Sequence, residues 1–266
     1  AKIAGEKAGI IKSHTPVVSG VVEPEPRAVI ERTAGELGCP LVQWDRDFAF
    51  DYRPPRHLER AMARGAVDYR RLTGDRPSEM LNLELKLVGR HQAANAAVAL
   101  ATLEELARLG WPVSEAATRA GLSQVCWPAR IEVLGRRPTV VLDSAHNTAS
   151  IEALVRTLDE SFEPGPRLLV FATTRDKDVD GMLRILAGKF DEVIFTRYWD
   201  NPRGVPPEEL QAMAAQLSPV TTHVAADAES GWQLALKLAT PGHLICITGS
   251  FFLAAEIGRA IQRVAR

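Results

Sequence analysis

A chain of 266 residues that is 46% hydrophobic and 24% charged suits one large globular domain or two modest ones. A formal net charge of −1 argues against a dedicated nucleic-acid binder, no apolar run approaches the ~20 residues that span a bilayer, and no stretch reads as a signal peptide. Cys39, Cys126 and Cys246 are odd in number, widely spaced and without metal-ligand spacing. They read as buried thiols in a reducing compartment, with the cytoplasm as the expected location.

Residues 17–22 read as a strand and 24–37 as a helix, because Val29, Ile30 and Leu37 recur at helical spacing. Residues 41–44 read as the next strand. The stretch 48–80 is rich in Arg, Asp and Pro with poor periodicity, and is expected to be irregular or a short hairpin. Leu81, Leu83, Leu85 and Leu87 alternate with polar residues, which predicts a strand with one wet face. Residues 91–109 form an Ala- and Leu-rich helix ended by Gly110-Trp111-Pro112, and Ser114 with Glu115 restarts a helix to about Gly121. Gly135-Arg136-Arg137-Pro138 is a polar turn before a new strand and places a boundary between domains at 1–136 and 137–266.

Past that turn, strands are expected at 139–142, 168–172, 192–196 and 244–248, and helices at 151–158, 179–187, 207–217, 231–238 and 252–264. Strands alternating with helices of this length predict an α/β fold, with a parallel sheet wound on both sides.

The most informative stretch is Val140-Val141-Leu142-Asp143-Ser144-Ala145-His146-Asn147. An apolar strand runs straight into a polar turn, where an open α/β sheet places its ligand chemistry. Asp143 and His146 lie three apart and can reach one bound molecule; the alternative is a pair that only pins the turn. Glu6-Lys7 sits in a helical turn where a surface lysine is the ordinary reading. His91 and Asn95 are four apart on a helix and share a face, and by themselves read as a capping His and a surface Asn. Arg130 offers a guanidinium that forks onto phosphate or carboxylate oxygens, or else an ion pair with Glu132. Asp176-Lys177-Asp178 reads alone as a charged turn capping the next helix. Lys177 and Ser250 both follow strand ends.

Five segments occur in a telling order: 3–12 with Pro16-Val17-Val18, Gly89-Arg90-His91-Gln92-Ala93-Ala94-Asn95-Ala96-Ala97, Trp127-Pro128-Ala129-Arg130-Ile131-Glu132, the Asp-x-Ala-His-Asn turn, and Ile247-Thr248-Gly249-Ser250. In this order the chain resembles the folylpolyglutamate synthase/dihydrofolate synthase enzymes of the Mur ligase superfamily. The resemblance implies the C-terminal part of a central ATP-binding Mur ligase domain over 1–136, then a Rossmann-like glutamate ligase domain over 137–266. It implies a carbamylated Lys7 as an oxygen ligand for Mg²⁺, Asn95 near the adenine, and Arg130 on the ATP phosphates. It further implies Asp143 and His146 on the ribose and on phosphate or acyl-phosphate oxygens, and Lys177 and Ser250 on the incoming amino acid. His91 and Gln92 are motif positions without an assigned role.

This chain departs from the family pattern at three places. Ala129 stands where the family has Gly in Pro-Gly-Arg, and an Ala tolerates positive φ poorly, so an altered loop is expected. Ser144 and Thr148 replace Gly and Pro in Asp-Gly-Ala-His-Asn-Pro. The family's phosphate loop, Gly-x-x-x-x-Gly-Lys-Ser/Thr, has no match, since Gly188-Lys189 is followed by Phe190. The expectation is the C-terminal portion of a longer protein, which alone lacks the main triphosphate cradle and hydrolyses negligible ATP.

The implied activity is ATP-dependent addition of L-glutamate to a folate or dihydropteroate carboxylate through an acyl phosphate, with Mg²⁺, Arg130 and His146 stabilising the charge. The implied partners are glutamate and a pterin or folate, with no nucleic acid and no membrane, and the implied state is a monomer. Two alternatives stay open. Another Mur-type ligase of cell-wall synthesis shares the fold and the Lys, Asn and Arg logic. A non-catalytic nucleotide- or amino-acid-binding module is not excluded by fold, although Lys7, Asn95, Arg130, Asp143 and His146 together argue against it.

Overall fold

The structure is a computed structural model that describes residues 2–73, 78–199 and 201–264. The chain divides into two compact units, Ala1–Arg53 with Arg64–Val125, and Pro54–Ala63 with Cys126–Arg266.

In the first unit, a short helix α1 (Lys2–Ala8) precedes β1 (Val17–Ser19), α2 (Pro24–Glu36) and β2 (Leu41–Gln43). β1 and β2 pair in parallel, with Val17 opposite Leu41. Next come β3 (Phe48–Arg53), β4 (Gly65–Arg71) and β5 (Glu79–Leu85), an antiparallel meander in the order β3-β4-β5. The stretch expected to be irregular or a short hairpin thus carries the antiparallel pair β3–β4 and the start of β5. Gly65, Val67, Tyr69 and Arg71 of β4 are buried at every second position, and the buried Arg71 is matched by Glu104 at 3.3 Å and Glu105 at 3.2 Å. Two charged partners let an arginine occupy a core-facing position, which hides the strand pattern in a charge-rich segment.

α3 (Arg90–Arg108) and α4 (Glu115–Gln124) complete this unit. Ala93, Ala96, Ala97, Leu100 and Ala101 recur on one face of α3 and pack with Phe48, Phe50, Tyr69, Leu83 and Leu85. The Ser114 hydroxyl accepts the Ala117 N–H at 3.2 Å and caps α4.

The second unit is a six-stranded sheet. β6 (Glu132–Arg136) leads into β7 (Thr139–Leu142), α5 (Thr148–Ser161), β8 (Arg167–Phe171), α6 (Val179–Leu186) and β9 (Glu192–Phe195). α7 (Pro207–Ala215), β10 (Thr221–Val224), α8 (Ala228–Leu238), β11 (Leu244–Thr248) and α9 (Phe251–Val264) follow. The order is β10-β9-β8-β11-β7-β6, parallel except for β6, which runs antiparallel to β7. Every residue of β7 and β11 is buried, as expected of strands with helices on both faces. The doubly covered α/β sheet is thus as expected, with β6 and β10 as additional edge strands.

The expected boundary at 136/137 is not where the units divide. Gly135-Arg136-Arg137-Pro138 includes the turn of a hairpin, because β6 pairs with β7 through Arg136 opposite Thr139 and Glu132 opposite Leu142. Residues 126–136 therefore belong with the second unit. The expectation of three buried thiols holds for Cys246 alone: Cys126 is exposed and Cys39 half-buried. Cys246 lies in the middle of β11, whereas Cys126 follows α4 outside any strand and Cys39 lies in the turn after α2.

Candidate functional site

The strand ends of the second unit are tied together by backbone first. Gly249 N–H donates to Ala145 O at 2.9 Å, and Asp143 N–H donates to Ile247 O at 3.0 Å. Gly249 has a φ of 104°, and a Cβ there would lie 2.4 Å from Ala172 O, so only glycine fits.

Asp143 is buried at the end of β7. One carboxylate oxygen accepts Ala145 N–H at 2.7 Å and the other accepts Ile131 N–H at 3.0 Å. Burial pushes its pKa up, opposed by those two amides and by the nearby Arg130 and His146. The carboxylate thereby fastens the 129–131 turn to the strand.

That turn is strained. Ala129 and Ile131 have φ of 55° and 50°, a left-handed conformation that disfavours any Cβ and a β-branched side chain most. Ala129 N–H donates to Glu132 Oε2 at 2.9 Å, so Glu132 serves the turn. The Ser144 hydroxyl donates to Ala129 O at 2.9 Å and accepts from the Arg130 guanidinium.

Arg130 lies 5.1 Å from the centroid of the Phe251 ring, and the His146 ring lies 4.9 Å from the same ring. His146 Nδ1 is 3.0 Å from Ser144 O. A carbonyl only accepts, so Nδ1 carries a proton, and Nε2 is the ring nitrogen left for a ligand. His146 N–H and Asn147 N–H both donate to Ser150 Oγ, at 3.0 and 3.1 Å, and Asn147 Oδ1 accepts Ser150 N–H at 2.9 Å. This capping box starts α5, so the partly positive helix end lies at the same turn as the two cation-capable side chains. An arginine fork, an imidazole and a helix N-terminus suit a phosphate.

Lys177 Nζ pairs with Asp176 at 3.0 Å, while Asp178 caps α6 by accepting Gly181 N–H at 2.9 Å. Ser250 is buried, and its hydroxyl accepts Phe252 N–H at 3.1 Å, which leaves its own proton to donate. The second unit therefore holds Arg130, Asp143, His146, Lys177 and Ser250.

Lys7 and Asn95 lie in the first unit. Lys7 is exposed near the end of α1 and lines a cavity of about 520 Å³ with Lys12, Thr15, Ser19 and Glu105. Asn95 is exposed on α3, where its amide donates to Gln92 Oε1 at 3.3 Å. The cap of that helix is Gly89, so His91 is not the capping residue. Among the described residues, His57, Glu59 and Glu163 are a cluster with metal-ligand spacing, yet Arg60 pairs with both glutamates, which reads as a surface ion-pair network.

Phe251 and the polar role of Ser144 were missed in the sequence. A Phe directly after a strand-ending Thr248-Gly249-Ser250 turn is the signal that could have found the first. A hydroxyl one residue after Asp143 gives no comparable signal.

Residues 129–251 match the family described as Mur ligase, glutamate ligase domain. The chain is 31% identical over 263 residues to folylpolyglutamate synthase of Lacticaseibacillus casei, covering 97% of this chain and 57% of that protein. It is 28% identical over 262 residues to the dihydrofolate synthase/folylpolyglutamate synthase of Bacillus subtilis, covering 98% of this chain and 58% of that one. Among solved structures, Mycobacterium tuberculosis folylpolyglutamate synthase complexed with ADP aligns with a TM-score of 0.86 at 30% identity, over 98% of this chain and 58% of that chain. E. coli FolC in complex with DHPP and ADP aligns with a TM-score of 0.83 at 26% identity, over 99% and 57%. The chain thus spans less than three fifths of the length of these relatives.

Proposed function

Through residues 129–251 the chain belongs to the Mur ligases, in a segment similar almost throughout to folylpolyglutamate synthases, and on that premise we propose that the whole protein joins L-glutamate to a folate or dihydropteroate carboxylate in an ATP-dependent reaction. The observation that carries the reading is the pair Arg130 and His146 on the Phe251 ring, beside the start of α5. Relatives of similar fold are described with bound ADP.

Bound ATP supplies the phosphoryl group that activates the substrate carboxylate, and the amine of glutamate then displaces phosphate. Arg130 meets phosphate oxygens with a planar fork already oriented by Ser144 and Phe251. His146, its Nδ1 proton held by Ser144 O, donates from Nε2 to a phosphate or acyl-phosphate oxygen as the imidazolium, in which both ring nitrogens are donors. Asp143 anchors the turn in place of the ribose contact first expected, because backbone amides engage both of its oxygens. Ser250 donates its proton to the incoming amino acid, and Lys177 exchanges Asp176 for a substrate carboxylate. Asn95 contacts the nucleotide base.

A relative from Yersinia pestis is described with AMPPNP and a Mn ion, which supports a divalent cation; Mg²⁺ is our assignment. Mg²⁺ is commonly held by one or two carboxylates with phosphate oxygens and water. A carbamate on Lys7 would supply one such carboxylate-type oxygen, at a cavity that Thr15, Ser19 and Glu105 also line. We assign the first unit to the later part of the ATP-binding domain. The proposal includes a monomer in the cytoplasm. Among the described residues no helix is long and apolar enough to cross a membrane.

The test is incorporation of labelled glutamate by the whole protein with ATP and Mg²⁺, offering dihydropteroate and tetrahydrofolate separately. Incorporation into either supports the reading and names the substrate. Incorporation into neither, with ATP binding intact, overturns it in favour of a cell-wall ligase or a binding module.

A further inference from the structure

We propose that Ser144 is a positioning residue, whose hydroxyl clamps the strained 129–131 turn and so sets Arg130 where it meets a nucleotide phosphate. The proposal rests on the ligase reading for the identity of the anion. Its geometric part stands by itself.

Ser144 is fully buried, and its hydroxyl is used twice, donating to Ala129 O at 2.9 Å and accepting from the Arg130 guanidinium. One oxygen therefore holds the backbone on one side of Cα130 and the side chain on the other. The need for a clamp is visible in the backbone, where residues with Cβ atoms sit at positive φ on both sides of Arg130, at 55° for Ala129 and 50° for Ile131. Such residues persist only when their surroundings fix them. Asp143 fixes the Ile131 side through its carboxylate, and Ser144 fixes the Ala129 side. The Ser144 carbonyl also receives His146 Nδ1 at 3.0 Å, so a single residue orients both groups that stand on Phe251. A glycine at 129 reaches positive φ without strain, and the turn then needs no clamp. Ala129 and Ser144 form a coupled pair.

The experiment is a double-mutant cycle in the whole protein with Ser144→Ala and Ala129→Gly. It is read as KM for ATP, KM for glutamate, kcat and thermal midpoint. Ser144→Ala is expected to raise KM for ATP about tenfold, with kcat and KM for glutamate within twofold. Adding Ala129→Gly is expected to bring KM for ATP back to within about threefold of the parent. An unchanged KM for ATP in Ser144→Ala overturns the proposal. So does a parallel decline of all three kinetic constants that tracks a lowered thermal midpoint, because that is the mark of a purely structural serine. A crystal structure of Ser144→Ala supplies a readout independent of turnover. Arg130 displaced from the Phe251 face supports the clamp, and Arg130 in place refutes it. Should the parent ligate no glutamate, the functional reading fails while this structure still decides the clamp.

Discussion

The carboxylate of Asp143 accepts the backbone N–H of Ile131 at 3.0 Å across a buried gap of twelve residues, while its other oxygen takes Ala145 N–H at 2.7 Å. An asparagine has a single oxygen, and its NH₂ group would face one of these two donors. We expect Asp143→Asn to lower unfolding free energy by about 1–3 kcal/mol, the cost of leaving a buried donor unsatisfied. Denaturant titration checks it, and a change under about 0.5 kcal/mol would show that the turn is held by other means.

Arg130→Lys keeps the charge but loses the fork and the stacking on Phe251. The expected outcome is a fall of about 10–100-fold in kcat/KM for ATP, with thermal stability nearly unchanged. Parental kinetics in the lysine variant would place the phosphate contact on another residue.

Asp68 supplies a pH dependence with a defined sign. The Arg53 guanidinium and the Asn82 N–H hold its carboxyl down at about 2. The folded value lies below the unfolded one of about 3.9. The stabilisation is therefore fully present above pH ~4 and is lost as pH falls toward 2. A carboxyl ¹³C titration should give a midpoint near 2, and Asp68→Asn should flatten this part of the acid-unfolding curve. A midpoint at the ordinary aspartate value would refute the ion pair.

Gly249→Ala places a Cβ 2.4 Å from Ala172 O at a residue with φ of 104°. Neither clash nor backbone angle is relieved by a rotamer change. We expect a loss of about 3 kcal/mol or more, accompanied by loss of ligase activity because Ser250 moves with the turn. Calorimetry on the purified variant decides it; an unchanged transition would mean that the loop re-forms freely.

If Lys7 bears a carbamate, ¹³C-bicarbonate should label it, and a carbamate resonance should vanish in Lys7→Arg, whose guanidinium does not react with CO₂ at neutral pH. Chelation of divalent cations should abolish glutamate incorporation, and added Mg²⁺ should restore it. A labelled spectrum without a carbamate signal, in the presence of nucleotide, removes Lys7 from the metal site.

Much of the second unit was legible in the sequence because strands such as Val140-Val141-Leu142 are buried on both faces and read as unbroken apolar runs. β10, Thr221-Thr222-His223-Val224, is an edge strand with an exposed first residue and no apolar run, so nothing marked it. β6 was hidden for a related reason. All its residues are half-buried, and the register shift between Val133 and Gly135 breaks its alternation. In β4 the alternation is intact, but Arg71 occupies an inward position with Glu104 and Glu105 as counter-charges, so the charge-rich composition obscured it and left an irregular stretch or a short hairpin as the reading. For the candidate site, the order of motifs gave Arg130, Asp143 and His146. The adjacency of Phe251 to both Arg130 and His146 depends on the neighbouring strands β7 and β11, a relation that local spacing does not encode.

Residues Pro54–Ala63 interrupt the first unit in sequence yet belong to the second, where buried Leu58 donates its N–H to Ser161 O at 3.1 Å and Arg60 pairs with Glu163. The second unit is therefore not a cassette with one cut site. A transplant beginning at Cys126 would leave behind the short passenger that covers the end of α5, so moving this unit needs a two-piece graft or a circularly permuted gene.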